Sequence, residues 1–273
     1  MRPYLPNDFA LISAVNDVDI LNACLLRSPD IVAGELPVFT IEGATSMAEA
    51  YNRGLTMTDR PICIFAHQDV YLPQGWLALV SEKLSDLEKI DQSWEVVGPY
   101  GVQADGRHAG RIWDVTLNSE LGSPQFSPTP VVSLDELVLI VRTGPGYSFD
   151  AALPHFHLYG TDIVQSALAA GRSAYAIEIP VVHNNRPILS LNGGYALAYH
   201  YARRKWARRL PIPTTICMLS RNPLHLWRAS RGFRHSKQRP DGLLADAPTV
   251  AVIAGYEKRP PEVVVEPLGP NGS

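Results

Sequence analysis

Short apolar runs alternate with amphipathic stretches along the first hundred residues. Phe9 to Val15 (FALISAV) is almost wholly apolar and predicts a first strand. Asn16 and Asp17 end it, and both are helix-capping types ahead of a helix over Val18 to Leu26. Leu36 to Ile41 predicts a second strand that ends at Glu42 and Gly43. Ser46 caps a helix through Leu55, and Glu49 stands at the capping-box spacing. Ile62 to Phe65, bounded by Pro61, reads as a buried central strand running straight into His67-Gln68-Asp69. Pro73 and Gly75 punctuate the chain before an amphipathic helix from Trp76 to Ile90, and Val96 to Gly98 supplies a fourth strand. This order predicts an α/β fold, a mostly parallel, Rossmann-like sheet flanked by helices.

The pattern then changes. Residues 101 to 130 are rich in Gly, Ser and Pro and read as a long irregular excursion. Val131 to Val141 returns as strand material, broken by Asp135-Glu136, and Gly144-Pro145-Gly146 turns the chain. Tyr159 to Ala170 has helical spacing, with Gly171 suited to the position just past its end. Ala174 to Val182 is a last strand ending in His183-Asn184-Asn185, and Leu189 to Trp206 predicts a helix that turns basic. No internal repeat is present. The expected division is a main domain over 1–205, a basic, partly helical C-terminal extension over 206–240, and a mobile Pro-rich tail over 241–273.

Charge sharpens that division. The net charge is only −3, yet residues 201 to 240 hold 11 of the 24 bases, from Arg203 to Arg239, and no acid. Cys24, Cys63 and Cys217 are scattered and form no CxxC pair, so a reducing, cytoplasmic setting is expected. No secretory leader is evident, and no apolar run approaches the ~20 residues of a membrane span.

The candidate chemistry lies at element ends. His67 and Asp69 are two residues apart after a buried strand, so both side chains can face one site. The carboxyl ends of strands are where open α/β sheets place ligands. Asp162 stands at the start of a helix and His183 at the end of the last strand. These residues leave a metal-dependent hydrolase open, using His67, Asp69, His155, His157 and His183, although no HExxH helix accompanies them. A dinucleotide-dependent dehydrogenase is excluded, because no GxGxxG follows the first strand.

The order and spacing of several short pieces resemble the inverting glycosyltransferases of family 2, which have the GT-A fold. The pieces are Ala50 to Leu55, Ile64 to Val70, Gly75-Trp76, Tyr147 to Asp150, Tyr159 to Gly171 and Val182-His183. The subgroup with HQDV in place of the usual DxD is the most similar, and the resemblance covers about residues 9 to 210.

The resemblance implies a hexosyltransferase-like enzyme that moves a sugar from a nucleotide-sugar donor to a carbohydrate, lipid-linked or protein hydroxyl. It implies Mn²⁺ or Mg²⁺ bridging the donor diphosphate, and an imidazole ligand is more compatible with Mn²⁺. Asp69 takes the place of the second Asp of DxD. His67 stands where the first would be, with cation and ribose both open to it. His183 matches a metal-binding His of some relatives. Asp162 matches the general base of a Glu-Asp motif, with Thr161 in place of the Glu. Val15, Asn16, Asp17, Glu42, Asn52 and Gln68 are the implied nucleotide-sugar contacts. Asp135 and Glu136, with Trp113, Tyr147, His155 and His157, fall on the acceptor side, where aromatic faces can pack against sugar. Thr161 also leaves open a non-catalytic sugar-binding domain of the same fold. The basic stretch Arg203 to Arg239, interleaved with Trp206, Leu224, Leu226, Trp227 and Phe233, is expected to dock on the anionic inner face of a membrane, with folding back onto the acidic domain the alternative. No nucleic-acid motif accompanies it.

Overall fold

The computed structural model describes residues 3–184, 191–233 and 245–258. In chain order the elements are β1 (Phe9–Val15), α1 (Val18–Ala23), α2 (Pro29–Val32), β2 (Val38–Glu42), α3 (Met47–Leu55), β3 (Ile62–Ala66), β4 (Val70–Tyr71), α4 (Trp76–Ile90), β5 (Trp94–Gly98), β6 (Tyr100–Val102) and β7 (His108–Asp114). They continue with β8 (Ser119–Gly122), β9 (Thr129–Pro130), β10 (Ser133–Leu134), β11 (Val138–Arg142), α5 (Tyr159–Ala169), β12 (Ser173–Ala176), β13 (Val182–His183), α6 (Gly194–Lys205), α7 (His225–Phe233) and α8 (Ala247–Ile253).

The main sheet has seven strands in the order β2-β1-β3-β11-β5-β12-β9. β1 lies parallel to β2 and β3, and β12 parallel to β5, while β11 runs against β3 and β5 and β9 against β12. The fold is therefore α/β, as its strand–helix alternation predicts, but the main sheet is mixed, because β11 and β9 run against their neighbours. Side-chain alternation splits the sheet between two cores. Ile12, Cys63, Phe65, Leu139 and Val141 meet Tyr51 of α3, Val164 of α5 and Tyr199 of α6 on one face. Phe9, Leu11, Ile62, Ile64, Val138 and Ile140 meet Trp76, Val80, Leu84 and Leu87 of α4 on the other.

The caps follow the local sequence. Asp17 accepts the Ile20 N–H at 3.1 Å and Ser46 accepts the Glu49 N–H at 3.1 Å. Glu49 does not close the expected box onto Ser46. Its carboxylate takes the Thr45 N–H at 2.8 Å and hydroxyl at 2.6 Å.

Residues 101–130 correct the expected irregular excursion. They supply β7, β8 and most of β6 to a second sheet, ordered β10-β6-β7-β13-β4 with β8 paired to β7, and β9 to the edge of the main one. β7 changes partners at Gly110: its first half pairs with β6 and its second with β8. There φ is +82° and a Cβ would come within 2.0 Å of the Pro99 carbonyl, so only glycine fits. Apart from β7 these strands are too short to show a period, and turn residues dominate the composition. The expected strand 174–182 also divides. The chain leaves the main sheet after Ala176, turns through Ile177 to Pro180, and enters the second sheet as β13.

The C-terminal expectations change as well. Leu210, Ile212, Cys217, Leu219 and Leu226 are buried in the core beneath α5 and α6, so residues 206–233 pack on the main unit. Within the expected tail, Asp246 caps α8, accepting the Thr249 N–H at 3.1 Å. Ala247 and Ala251 bury against Tyr71, Val115 and Val182. Arg234, Lys237 and Arg239, Asn185, the expected helix start at Leu189, and the remainder of the tail lie outside the described residues. All three cysteines are free and buried. Among the described residues no helix is long and apolar enough to cross a membrane.

Candidate functional site

The carboxyl ends of β1, β2 and β3 open onto a cleft of about 930 Å³. Val15 and Asn16 at the end of β1, Glu42 and Gly43 at the end of β2, and His67, Gln68 and Asp69 after β3 form one wall. The second sheet brings Asp114 and His183, and the β10–β11 turn brings Asp135 and Glu136. Phe156, His157, Tyr195 and Thr214 to Ile216 close the far side.

At its floor His67, Asp69 and His183 place one ligand atom each within 4.8 Å of one another. Strand register makes this meeting. His183 of β13 stands opposite Val70 of β4, next to Asp69, and opposite Asp114 of β7. The Asn184 N–H then donates to the Asp69 carbonyl at 2.8 Å, locking the β13 end to the turn. His183 Nε2 is 3.7 Å from Asp69 Oδ2 and its Nδ1 3.7 Å from Asp114 Oδ2. Burial works against a charged His183, but Asp69 and Asp114 outweigh it and raise its pKa to about 9.

His67 behaves differently. Burial holds its pKa below the ordinary value, against the pull of Asp69. The Tyr159 hydroxyl donates to the Glu136 carbonyl at 2.8 Å and lies 2.6 Å from His67 Nε2. The single tyrosine proton is thus committed, so Nε2 of the neutral ring carries its hydrogen and donates to the Tyr159 oxygen. Nδ1 keeps its lone pair, 3.9 Å from Asp69 Oδ1. That carboxylate oxygen is buried and has no hydrogen-bond partner among the described residues. A divalent cation fits this set: two imidazole nitrogens and an orphaned carboxylate oxygen, oriented by Tyr159 and Asp114.

Gln68 ties the wall together. Its Oε1 accepts the Asn16 N–H at 3.0 Å and the Asp17 N–H at 3.2 Å, and its Nε2 donates to Asn16 Oδ1 at 2.6 Å. Glu136 lies beneath the start of α5, where the Gly160 N–H donates to it at 3.4 Å. A Cβ on Gly160 would come within 2.6 Å of the Leu134 carbonyl, so glycine permits this close approach. Burial and the neighbouring Asp135 push the Glu136 carboxyl well above the usual carboxylate range, against the α5 amides.

Several residues singled out in the sequence do not line the cleft. Asp162 is buried on the other side of α5, where Lys205 Nζ donates to Oδ2 at 2.8 Å and Trp206 Nε1 to Oδ1 at 2.8 Å. Thr161 occupies the cleft side of that helix turn, bonded to Ser133 at 2.7 Å. Asn52 clasps the Phe149 backbone, accepting its N–H at 2.8 Å and donating to its carbonyl at 3.0 Å. Asp17 spends its carboxylate on the α1 cap. Trp113 packs toward Val182 and α8, and Tyr147 packs against Phe149. His155 packs against Gly194 at the start of α6, so the five-residue hydrolase set is not assembled. The resemblance aligns these positions by type, and helix phase and tertiary contacts turn their side chains elsewhere.

Asp114, Tyr159, Tyr195 and the Thr214–Ile216 segment enter the site without a sequence assignment to it. Asp114 had one readable signal, an acid at an inward position of the alternating stretch Ala109 to Asp114.

Residues 10–115 match the model of a glycosyltransferase-like family. The match takes in His67, Asp69 and Asp114 and stops short of His183. The protein of the "ATP synthase subunits region ORF 6" of Fuscovulum blasticum is 31% identical over 156 residues, 54% of this chain and 58% of that relative. The chain thus spans little more than half of that relative's length. A mannosyltransferase, PcManGT of Pyrobaculum calidifontis, solved with GDP-Man and Mn²⁺, superposes with a TM-score of 0.44 at 11% identity, covering 93% of this chain and 71% of that one. Residues 1–349 of S. aureus TarS, solved with UDP-GlcNAc, give 0.43 at 15% identity, covering 86% and 74%. Superpositions this loose carry no weight for function.

Proposed function

We propose that the protein is a glycosyltransferase that binds a nucleotide-sugar donor in this cleft and passes its sugar, with inversion, to a hydroxyl acceptor. The observation that carries the reading is the buried Asp69 Oδ1 beside His67 and His183, unpartnered among the described residues, with His67 and Asp69 inside the stretch that matches a glycosyltransferase-like family. His67, Asp69 and His183 would hold a divalent cation, and two imidazoles favour Mn²⁺ over Mg²⁺. When bound, the cation neutralises charge that develops on a diphosphate leaving group.

The remaining roles follow from placement. Val15, Asn16 and Glu42 form the wall for the nucleotide, held in shape by Gln68. His157 and Tyr195, with ring centroids 5.4 Å apart, offer a surface for the acceptor. Inversion by one displacement needs one proton acceptor at the incoming hydroxyl. Asp162 is engaged by Lys205 and Trp206 away from the cleft. Asp135 lines the cleft beside the cluster and takes that role in our reading.

The test is a thermal-shift screen of GDP- and UDP-sugars with and without Mn²⁺, followed by nucleotide release from any donor that binds. A bound donor raises apparent stability with the logarithm of its concentration over its affinity. Mn²⁺-dependent stabilisation by one donor, with slow release of its nucleotide, is expected. No stabilisation by any nucleotide or nucleotide-sugar in Mn²⁺ would overturn the proposal.

A further inference from the structure

The surface opposite in character to the acidic cleft is built by α7 and the chain leading into it. Residues 201–233 contain eight bases, Arg203, Arg204, Lys205, Arg208, Arg209, Arg221, Arg228 and Arg231, and no acid. Some of these fold inward. Lys205 joins Asp150 and Asp162, Arg203 donates to the Ser220 and Arg221 carbonyls, and Arg221 donates to the Leu210 carbonyl. Arg204, Arg208, Arg228 and Arg231 are exposed, and no carboxylate among the described residues pairs with them.

The apolar residues of α7 divide by face. Leu226 is 6% exposed in the main core, with Ala229 packed beside it. Leu224 and Trp227 are each 54% exposed on the opposite face. Arg231 stands one turn on, with its guanidinium carbon 4.1 Å from the Trp227 ring centroid. Ile216 and Met218, on the segment that leads to α7, are exposed as well, and Ile216 is part of the cleft wall. A helix anchored by one apolar edge thus shows the solvent a second apolar edge, flanked by arginines.

We infer that α7 seats this protein on an anionic lipid bilayer, with Trp227 and Leu224 in the headgroup region and Arg228 and Arg231 on lipid phosphates. Three observations select this occupant. The charge is one-sided, and exposed arginines are attracted to anionic leaflets. A half-exposed Trp beside Leu suits the boundary between headgroups and acyl chains. Nucleic acid would use the arginines and an aromatic face, but aliphatic Leu224, Ile216 and Met218 offer bases nothing to stack on. Exposed Ile216, on the segment that leads to α7, is also part of the cleft wall, so the acceptor class it serves is a lipid-borne hydroxyl. That last clause alone rests on the transferase reading.

The experiment is co-sedimentation of the full chain with vesicles of phosphatidylcholine alone and of equimolar phosphatidylcholine and phosphatidylglycerol, at low and physiological salt. Each arginine that reaches the surface multiplies partitioning by about fivefold. The double variant Arg228→Gln/Arg231→Gln should therefore lose about 25-fold in binding to the anionic vesicles. Trp227→Ala should also lose binding, with both variants unfolding at the wild-type temperature because the changed side chains are exposed. Absence of wild-type sedimentation with anionic vesicles at low salt overturns the inference. So does binding that the double variant or Trp227→Ala leaves unchanged, or a single-stranded RNA that strips the protein from the vesicles and binds it more tightly. No donor is present in this assay, and the donor screen contains no lipid, so one reading can fail while the other stands.

Discussion

Two partly buried clusters of carboxylate and cation lie on opposite sides of α5, and they differ in completeness. In one, Asp162 and Asp150 share Lys205 at 2.8 and 2.6 Å, Trp206 closes on Asp162, and the Tyr201 hydroxyl donates to Asp150 at 2.7 Å. Each of these carboxylates has partners from the chain itself. In the other, Asp69 stands between His67 and His183 at 3.9 and 3.7 Å, and its Oδ1 has no hydrogen-bond partner among the described residues. Buried polar groups are nearly always satisfied, and an orphaned carboxylate oxygen beside two imidazoles at a cleft is a place that a ligand can complete. A closed cluster holds helices together and an open one waits for a ligand, although the residue types are much the same.

The largest effect should come from the open cluster. Asp69→Ala removes the one acidic ligand and is expected to lower donor turnover by about 10³-fold or more. It should also abolish Mn²⁺-dependent stabilisation by donor, with the metal-free unfolding temperature nearly kept. A variant that still responds to Mn²⁺ with donor would show that the orphaned oxygen is not a ligand.

The closed cluster should answer in the other currency. Asp162→Asn leaves Lys205 with Asp150 alone and weakens the contact of Trp206, a loss of about 1–3 kcal/mol in stability. Donor-induced stabilisation should persist, with turnover within about tenfold of the parent once the protein is folded. Chemical denaturation and single-turnover kinetics on the same preparation separate the two. If turnover collapses while stability holds, Asp162 is the proton acceptor after all and the contrast between the clusters fails.

Asp114 sharpens the comparison from one step away. It touches His183 and no other member of the open cluster, with Nδ1 and Oδ2 3.7 Å apart. Orienting partners of this kind are worth about 10–100-fold in metal affinity. Asp114→Asn is expected to weaken Mn²⁺ binding by that factor, read by titration calorimetry. Tyr159→Phe, which removes the acceptor for His67 Nε2–H, should do the same.

The two clusters also differ in how much of them the sequence reveals. β1, β3 and α4 are legible because long apolar runs bury whole strand and helix faces. His67 and Asp69 follow directly from the end of β3. The partners are less legible. His183 reaches Asp69 only through a strand of two residues, and Asp114 through a sheet whose turns mask its strands. Asp162 is visible as an acid at a helix start, but its facing is a matter of helix phase. One position earlier, Thr161 faces the cleft; at 162 the side chain meets Lys205 from α6, more than forty residues away. No local pattern encodes that pairing.

The smallest effect belongs to Glu136, which lies between the clusters at the start of α5. Burial and Asp135 raise its pKa well above the usual range, so the folded protein keeps a proton there that the unfolded chain releases. Between the ordinary glutamate pKa and the raised one, folding binds a proton. Stability is then fully present below the ordinary value and falls as pH rises, with a slope of at most ~1.4 kcal/mol per pH unit. Partial exposure of the side chain makes the real slope shallower. Glu136→Gln keeps the shape and removes the titration. Its unfolding temperature should match the parent in mild acid and exceed it by a small, growing margin toward alkaline pH. Parallel curves for the two proteins would mean that Glu136 is ionised in the fold, and that the α5 amides outweigh its burial.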